Sequence, residues 1–289
     1  MTPTDDWLAQ FLAAERLPAS YARTIEAVAL PLAQRIAADA ERANGGLVVG
    51  VCGAQASGKS TLTAVVRRLL EGRGLKVALF SLDDLYLTRA ERQVLARDVH
   101  PLLAVRGVPG THDVALGEVL LSDLRRAGDT VLPAFDKATD DRKPGTLFKG
   151  PADVVLLEGW CVGARPQDPS ALAAPVNALE REQDPGGVWR TYVNEALAGP
   201  YQRLFSKLDL LVLLQAPGFE VVRDWRIEQE RKLRERLARE GGDASRVMSD
   251  EQVEAFIAHY ERLTRWILEE MPRRADIVAR LDKQRRASL

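Results

Sequence analysis

The stretch Leu47-Val48-Val49-Gly50-Val51-Cys52-Gly53-Ala54-Gln55-Ala56-Ser57-Gly58-Lys59-Ser60 decides the fold class. Leu47–Cys52 is a short, continuously apolar run rich in β-branched residues, the pattern of a strand buried on both faces of a parallel sheet. After it, Leu62, Val65, Val66, Leu69 and Leu70 recur at helical spacing until Gly72 and Gly74 end the helix. Between strand and helix, Gly53–Ser60 matches the phosphate-loop pattern GxxxxGK[ST] in full. Its glycines let backbone N–H groups converge on phosphates, and the helix N-terminus adds the positive end of its dipole. Lys59 is expected to reach the β- and γ-phosphates, and the Ser60 hydroxyl to ligate magnesium. Gly53, Ala54, Gln55, Ala56, Ser57, Gly58 and Thr61 complete the expected ATP cradle.

Outward from this loop, strands alternate with helices. Lys76–Leu82, Asp153–Leu157, Leu208–Leu214 and Ile277–Leu281 read as further strands, and Asp113–Ala127 as the clearest intervening helix. That alternation implies right-handed crossovers and an α/β fold with a doubly wound, mainly parallel sheet. Residues 1–46 are expected to form a helical segment packed on the core, with breaks at Pro18 and Pro31. Residues 47–289 then form one phosphate-loop domain. Within it, the proline-rich residues 163–190 read as an irregular insertion, and residues 219–240 as a highly charged helix, the candidate lid.

Composition narrows the function classes. Hydrophobic residues are 46% of the 289, enough for a large core, and 40 basic against 41 acidic side chains leave a net charge of −1. Neither nucleic acid nor an anionic membrane is called for by that balance. The two cysteines, Cys52 and Cys161, sit in or beside apolar runs, which excludes a disulfide scaffold and suits a reducing, cytoplasmic setting. The N-terminus has acidic residues where an export signal carries basic ones. The three histidines show no metal-ligand spacing.

A phosphate loop names the nucleotide end of a reaction, so accessory residues must decide the rest. Ser206-Lys207-Leu208-Asp209 imitates a guanine-reading motif but precedes its strand instead of following it. Ser81-Leu82-Asp83-Asp84 closes the second strand and Leu156-Leu157-Glu158-Gly159 the third, both at the sheet edge where ligands bind. Glu158 is therefore expected to act on magnesium, directly or through water. Asp83 is placed to accept the proton of an attacking hydroxyl, with Asp84 the alternative; capping a helix is the structural use of the pair.

At these residues the chain resembles the D-glycerate 3-kinase family, in the phosphoribulokinase and uridine kinase branch of P-loop kinases. The likeness is carried by Gly53–Leu62 (GAQASGKSTL), Ser81–Thr88 (SLDDLYLT), Arg106–Asp113 (RGVPGTHD), Leu132–Lys137 (LPAFDK), Leu156–Gly163 (LEGWCVG) and Asp224–Glu230 (DWRIEQE). The resemblance implies ATP-dependent phosphorylation of the glycerate 3-hydroxyl with Asp83 as general base. Ala56 ahead of Ser57 is a mild departure from the usual loop.

A hydroxy-acid acceptor needs cations for its carboxylate. Arg106, His112, Lys137 and Arg142, read as loop residues, could supply polar contacts, and the resemblance favours Arg106. Asp84, Tyr86 and Asp113 are acceptor-side candidates in the same segments, while Thr111 could cap the helix beginning at Asp113. On the charged helix, Arg223 and Arg226 are expected at the phosphates. Lys232–Arg239 is read as a solvated face laced by i,i+4 pairs, including Glu230–Arg234 and Glu235–Arg239. Trp225 is expected to pack. Another small alcohol, such as a nucleoside, pantothenate or a sugar, and a non-catalytic ATP-dependent switch stay open. A nucleoside acceptor is disfavoured because residues 100–150 offer only Phe135 and Phe148 as aromatics. The oligomeric state is left open.

Overall fold

In a computed structural model, residues 5–14, 17–240 and 247–289 are described. The longer helices are α1 (Asp5–Ala14), α2 (Leu30–Arg42), α3 (Lys59–Glu71), α4 (Arg89–Asp98), α5 (Val114–Asp123), α6 (Val188–Ala196), α7 (Phe219–Glu240) and α8 (Asp250–Glu270). The strands are β1 (Leu47–Gly53), β2 (Val77–Ser81), β3 (Asp129–Asp136), β4 (Asp141–Lys149), β5 (Val154–Gly159), β6 (Leu210–Gln215), β7 (Ile277–Leu281) and β8 (Ala287–Ser288).

Six strands form one sheet in the order β2-β5-β1-β6-β7-β8, parallel throughout except for the terminal β7–β8 pair. Alternate side chains of the central strands enter two cores. Val49, Val51, Leu156, Val212 and Leu214 face α2 and α3 with Leu32, Ile36, Leu62 and Val66. Val48, Cys52, Val155, Leu157, Leu211 and Leu213 face the other way, toward Leu121, Leu204, Tyr260 and Ile267. Both faces are covered, which is why these strands read as unbroken apolar runs. Asp209, in the segment that imitates a guanine reader, instead accepts a hydrogen bond from the Val48 amide at 2.8 Å and pairs with Arg125.

Three local expectations are corrected. Pro31 does not break the N-terminal helix: the chain widens into a π turn over Ile25–Ala29 and continues into α2. The helix expected over 113–127 is shorter, Val114–Asp123, and its cap is Asp113, which accepts from the Leu116 amide at 3.0 Å. Thr111 is buried and bonds Val108 and Gly107 instead. Residues 129–149 form a separate antiparallel hairpin, β3–β4, that the apolar pattern does not announce. Most of its side chains are half-buried or exposed, and Pro133 sits at a register shift between Leu132 and Ala134. Among the described residues no helix is long and apolar enough to cross a membrane.

Candidate active site

The parallel register brings the carboxyl ends of β1, β2 and β5 to one edge, pairing Ser81 and Val51 with Glu158. A cleft of about 1430 Å³ opens there, more than a single small ligand fills. The phosphate loop forms its floor. Gly58 takes φ +89°, and a Cβ on Gly53 would stand 2.9 Å from the Ser57 hydroxyl and 3.1 Å from Leu214. Ala56 also has positive φ (58°), so the loop holds one non-glycine residue in the left-handed region. The Ser57 hydroxyl, both polar side-chain atoms of Gln55 and Oε2 of Glu158 are buried and, among the described residues, have no hydrogen-bond partner. The donors among them, the Ser57 hydroxyl and the Gln55 amide nitrogen at the start of α3, fit a ligand rich in oxygen such as a triphosphate, whereas the Glu158 oxygen suits a cation.

The Ser60 hydroxyl donates to Oε1 of Glu158 at 2.8 Å, and Lys59 Nζ lies 3.8 Å from its Oε2. A hydroxyl and a carboxylate side by side, beside a phosphate cradle, are oxygen ligands of the kind magnesium takes together with substrate phosphates.

Asp83 and Asp84 occupy the turn Leu82–Leu85 directly after β2, and they divide the two roles foreseen for them. Asp84 is a cap: its carboxylate accepts from the Ser81 amide at 2.9 Å while the Ser81 hydroxyl accepts from Asp83 N at 3.2 Å. Burial raises the Asp84 carboxyl above its ordinary range. Asp83 points into the cleft and receives Tyr86 Oη at 2.8 Å and Lys137 Nζ at 2.6 Å. Burial alone would raise it, but the charges of Lys137 and Lys59 outweigh that and hold it at about 2.

Behind Asp83, Tyr86 stacks on His112 at 4.6 Å and meets Phe135 edge-on at 5.2 Å. His112 is buried and bonded through Nδ1 to the Tyr201 hydroxyl, and burial lowers its imidazolium pKa to about 4. His112 therefore supports Tyr86 and does not line the cleft. Arg106 does line it, and its guanidinium lies 5.7 Å from the Phe135 ring and pairs with Asp140. Asp140 also pairs with the fully buried Arg92. Arg142 is not a loop residue: it lies on β4 and donates to Tyr86 O at 3.0 Å and to Asp113 at 3.1 Å, away from the cleft. Asp113 is committed to that pair and to its cap.

On α7, the structure redistributes the basic residues. Arg226 lines the cleft and pairs with buried Glu230, but Arg223 pairs with the adjacent Asp224 and stays outside it. Lys232, Arg236 and Arg239 line the cleft, contrary to the reading of 232–239 as a purely solvated face. The pairs expected there are only partly formed: Lys232 meets Glu228, whereas Arg234 donates to Met248 O and Arg239 to the Glu235 carbonyl. Trp225 is buried and packs, as its sequence context suggests.

Two features have no advance signal in the sequence. Arg285, near the chain's end, donates to Ala56 O and Trp225 O and pairs with Glu228, joining the phosphate loop to α7. Aromatics reach the cleft from outside residues 100–150, as Trp160, Phe256 and Tyr260. Trp160 and Tyr260 pack edge-to-face at 4.9 Å, and they donate to Gly107 O and Arg106 O. Their polar tips thus hold the Arg106 segment.

No family model matches the chain. It is 36% identical over 225 residues to the uncharacterized kinase mug58 of Schizosaccharomyces pombe, covering 74% of this chain and 78% of that one. Identity to the chloroplastic D-glycerate 3-kinase of Arabidopsis thaliana is 31% over 228 residues, 74% of this chain but 46% of that longer protein. The solved structure of D-glycerate 3-kinase from Cryptococcus neoformans var. grubii superposes with a TM-score of 0.74 at 28% identity, over 90% of this chain and 97% of that chain. With the phosphate loop, the sheet order and these relatives together, the chain belongs to the D-glycerate 3-kinase family of P-loop kinases.

Proposed function

We propose that this kinase transfers the γ-phosphoryl group of ATP to the primary hydroxyl of D-glycerate, giving 3-phosphoglycerate. The observation that carries the reading is the sharing of one cleft by the phosphate loop and by Asp83, Lys137 and Arg106. Phosphoryl transfer asks mainly for positioning and charge, which this cleft can supply. Lys59 is assigned to the phosphates, and Ser60 with Glu158 to magnesium, which when bound neutralises charge on the phosphate oxygens. Asp83 orients the acceptor hydroxyl and takes its proton. Lys137 and Arg106 are assigned to the acceptor's carboxylate, and Arg226 with the basic residues of α7 to charge on the transferring group and to exclusion of water. Both cysteines are free and buried, which supports a reducing, cytoplasmic setting.

The test is ADP release from Mg-ATP by the purified protein, with D-glycerate, L-glycerate, pantothenate and uridine added separately. A large increase with D-glycerate alone is expected. A comparable increase with one of the others reassigns the acceptor, and tight ATP binding without response to any of them would favour a non-catalytic switch.

A further inference from the structure

Both oxygens of Asp83 are engaged, by partners of very different mobility. Tyr86 is buried between His112 and Phe135, and its hydroxyl is fixed on Oδ1. Lys137 sits in the turn joining β3 to β4 with 61% of its side chain exposed, and reaches Oδ2 from solvent. Only the Asp83 end of this pair is largely covered; the lysine end is a long, flexible side chain whose ammonium can be rehydrated as it leaves, so the pair can open without burying a bare charge on Lys137. Arg106 and Arg92, by contrast, are held in place by one shared carboxylate, Asp140, and backed by the Phe135 ring. Lys137 is thus the acceptor-side cation that an incoming anion can recruit with the least disruption.

We propose that Lys137 is a substrate-operated cover on Asp83. In the free enzyme it occupies the proton-accepting oxygen and denies it to water; the carboxylate of an anionic alcohol draws the ammonium away and uncovers the base. This rests on the kinase reading above and adds an order of events to it. With Lys137 recruited, the acceptor hydroxyl gives its proton to Oδ2 of Asp83. The hydroxyl oxygen forms its bond to the γ-phosphorus, and the bond from that phosphorus to the β–γ bridging oxygen breaks, releasing ADP. With Lys137 in place, its ammonium stands on the cleft-side oxygen of Asp83 and its charge makes that carboxylate a poor acceptor for the proton of a water, so wasteful hydrolysis to ADP and phosphate is suppressed. A neutral polyol cannot draw the ammonium away, so the same pair sorts acceptors by charge.

The experiment compares wild type, Lys137→Met and the double variant Asp83→Asn with Lys137→Met, measuring ADP release from Mg-ATP with no acceptor added. Lys137→Met should raise this acceptor-free rate about tenfold, and Asp83→Asn on top should return it to the wild-type level. A purely structural lysine predicts an unchanged or lower rate, and that result overturns the cover. The second reading is the ratio of activity with D-glycerate to activity with glycerol. It should fall about tenfold or more in Lys137→Met and recover largely in Lys137→Arg; a ratio kept in the methionine variant also overturns the proposal. Near-ultraviolet circular dichroism and ATP titration establish that each variant is folded. If wild type ignores D-glycerate, the glycerate assignment fails, while the acceptor-free rates still decide for or against the cover.

Discussion

Arg285 Nε donates to the carbonyl oxygen of Ala56 across 3.0 Å, so a residue near the end of the chain braces the middle of the phosphate loop. The same guanidinium lies 5.2 Å from the Trp225 ring and pairs with Glu228 at 2.8 Å. Ala56 is held at φ +58°, a costly conformation for a residue with a Cβ, and the brace fixes its carbonyl there. Arg285→Ala should raise the KM for ATP about five- to tenfold with a smaller loss in kcat, since it loosens binding geometry rather than the reacting groups. Arg285→Lys should restore only part of this, because one ammonium cannot hold two carbonyls and a carboxylate in a fork. Steady-state kinetics at varied ATP checks it; an unchanged KM in the alanine variant removes the brace from the account.

Asp83 and Asp84 separate cleanly by partner. Asp83→Asn should leave ATP affinity near wild type and lower kcat by about a hundredfold or more. Asp84→Asn should lower the melting temperature instead, because its carboxylate caps the turn through the Ser81 amide. Paired measurements of kcat and thermal unfolding read both effects. A larger loss of kcat in the Asp84 variant would reverse the assignment of the base.

The Ser60–Glu158 pair predicts a metal phenotype. Glu158→Gln should raise the magnesium concentration needed for half-maximal rate by about tenfold, with saturating magnesium recovering part of the activity. Removal of magnesium by a chelator should stop turnover of the wild type. A magnesium titration of the rate tests both, and an unaltered magnesium requirement in the glutamine variant would detach Glu158 from the metal.

His112 links folding to acidity. Burial lowers its pKa to about 4, below the value of roughly 6.5 for an unfolded chain. Between these values the unfolded state binds the extra proton. The stabilising contribution of the neutral ring is therefore full above about pH 6.5 and lost as the pH falls toward 4, on the order of 3 kcal/mol in all. Denaturant unfolding across that window should show the slope, and His112→Gln should flatten it even if the variant is less stable throughout. A slope that survives the substitution would place the titration elsewhere.

What could be read from the residues follows what was buried. β1, β5 and β6 are covered on both faces, so Leu47–Gly53, Val154–Gly159 and Leu210–Gln215 appear as apolar runs with little else for them to be. The loop Gly53–Ser60 is legible because backbone geometry restricts its composition. The hairpin escaped because it is largely solvent-facing: Val131 and Leu147 pair across it with exposed side chains, and prolines at 133 and 144 argue against a strand. Arg142 lies on the same hairpin and shares its lack of a strand signal. The basic face of α7 was misjudged because i,i+4 spacing records which pairs can form on a helix, not which residues a neighbouring cleft will use. Arg285 gives no local signal at all; its contact spans most of the chain and exists only once β7 and β8 are laid beside β6.

The hairpin β3–β4 also bears on how such an enzyme could change. The phosphate loop, Glu158 and Asp83 belong to parallel strands of the main sheet or the turns directly after them, whereas Lys137 and the Asp140 carboxylate that holds Arg106 hang from a separate two-stranded hairpin. On the assignments proposed above, nucleotide chemistry and much of the acceptor contact thereby fall on different parts of the chain. A lineage, or an engineer, can exchange a contiguous peptide between the ends of α5 and β5 and retune what is phosphorylated while the sheet stays as it is.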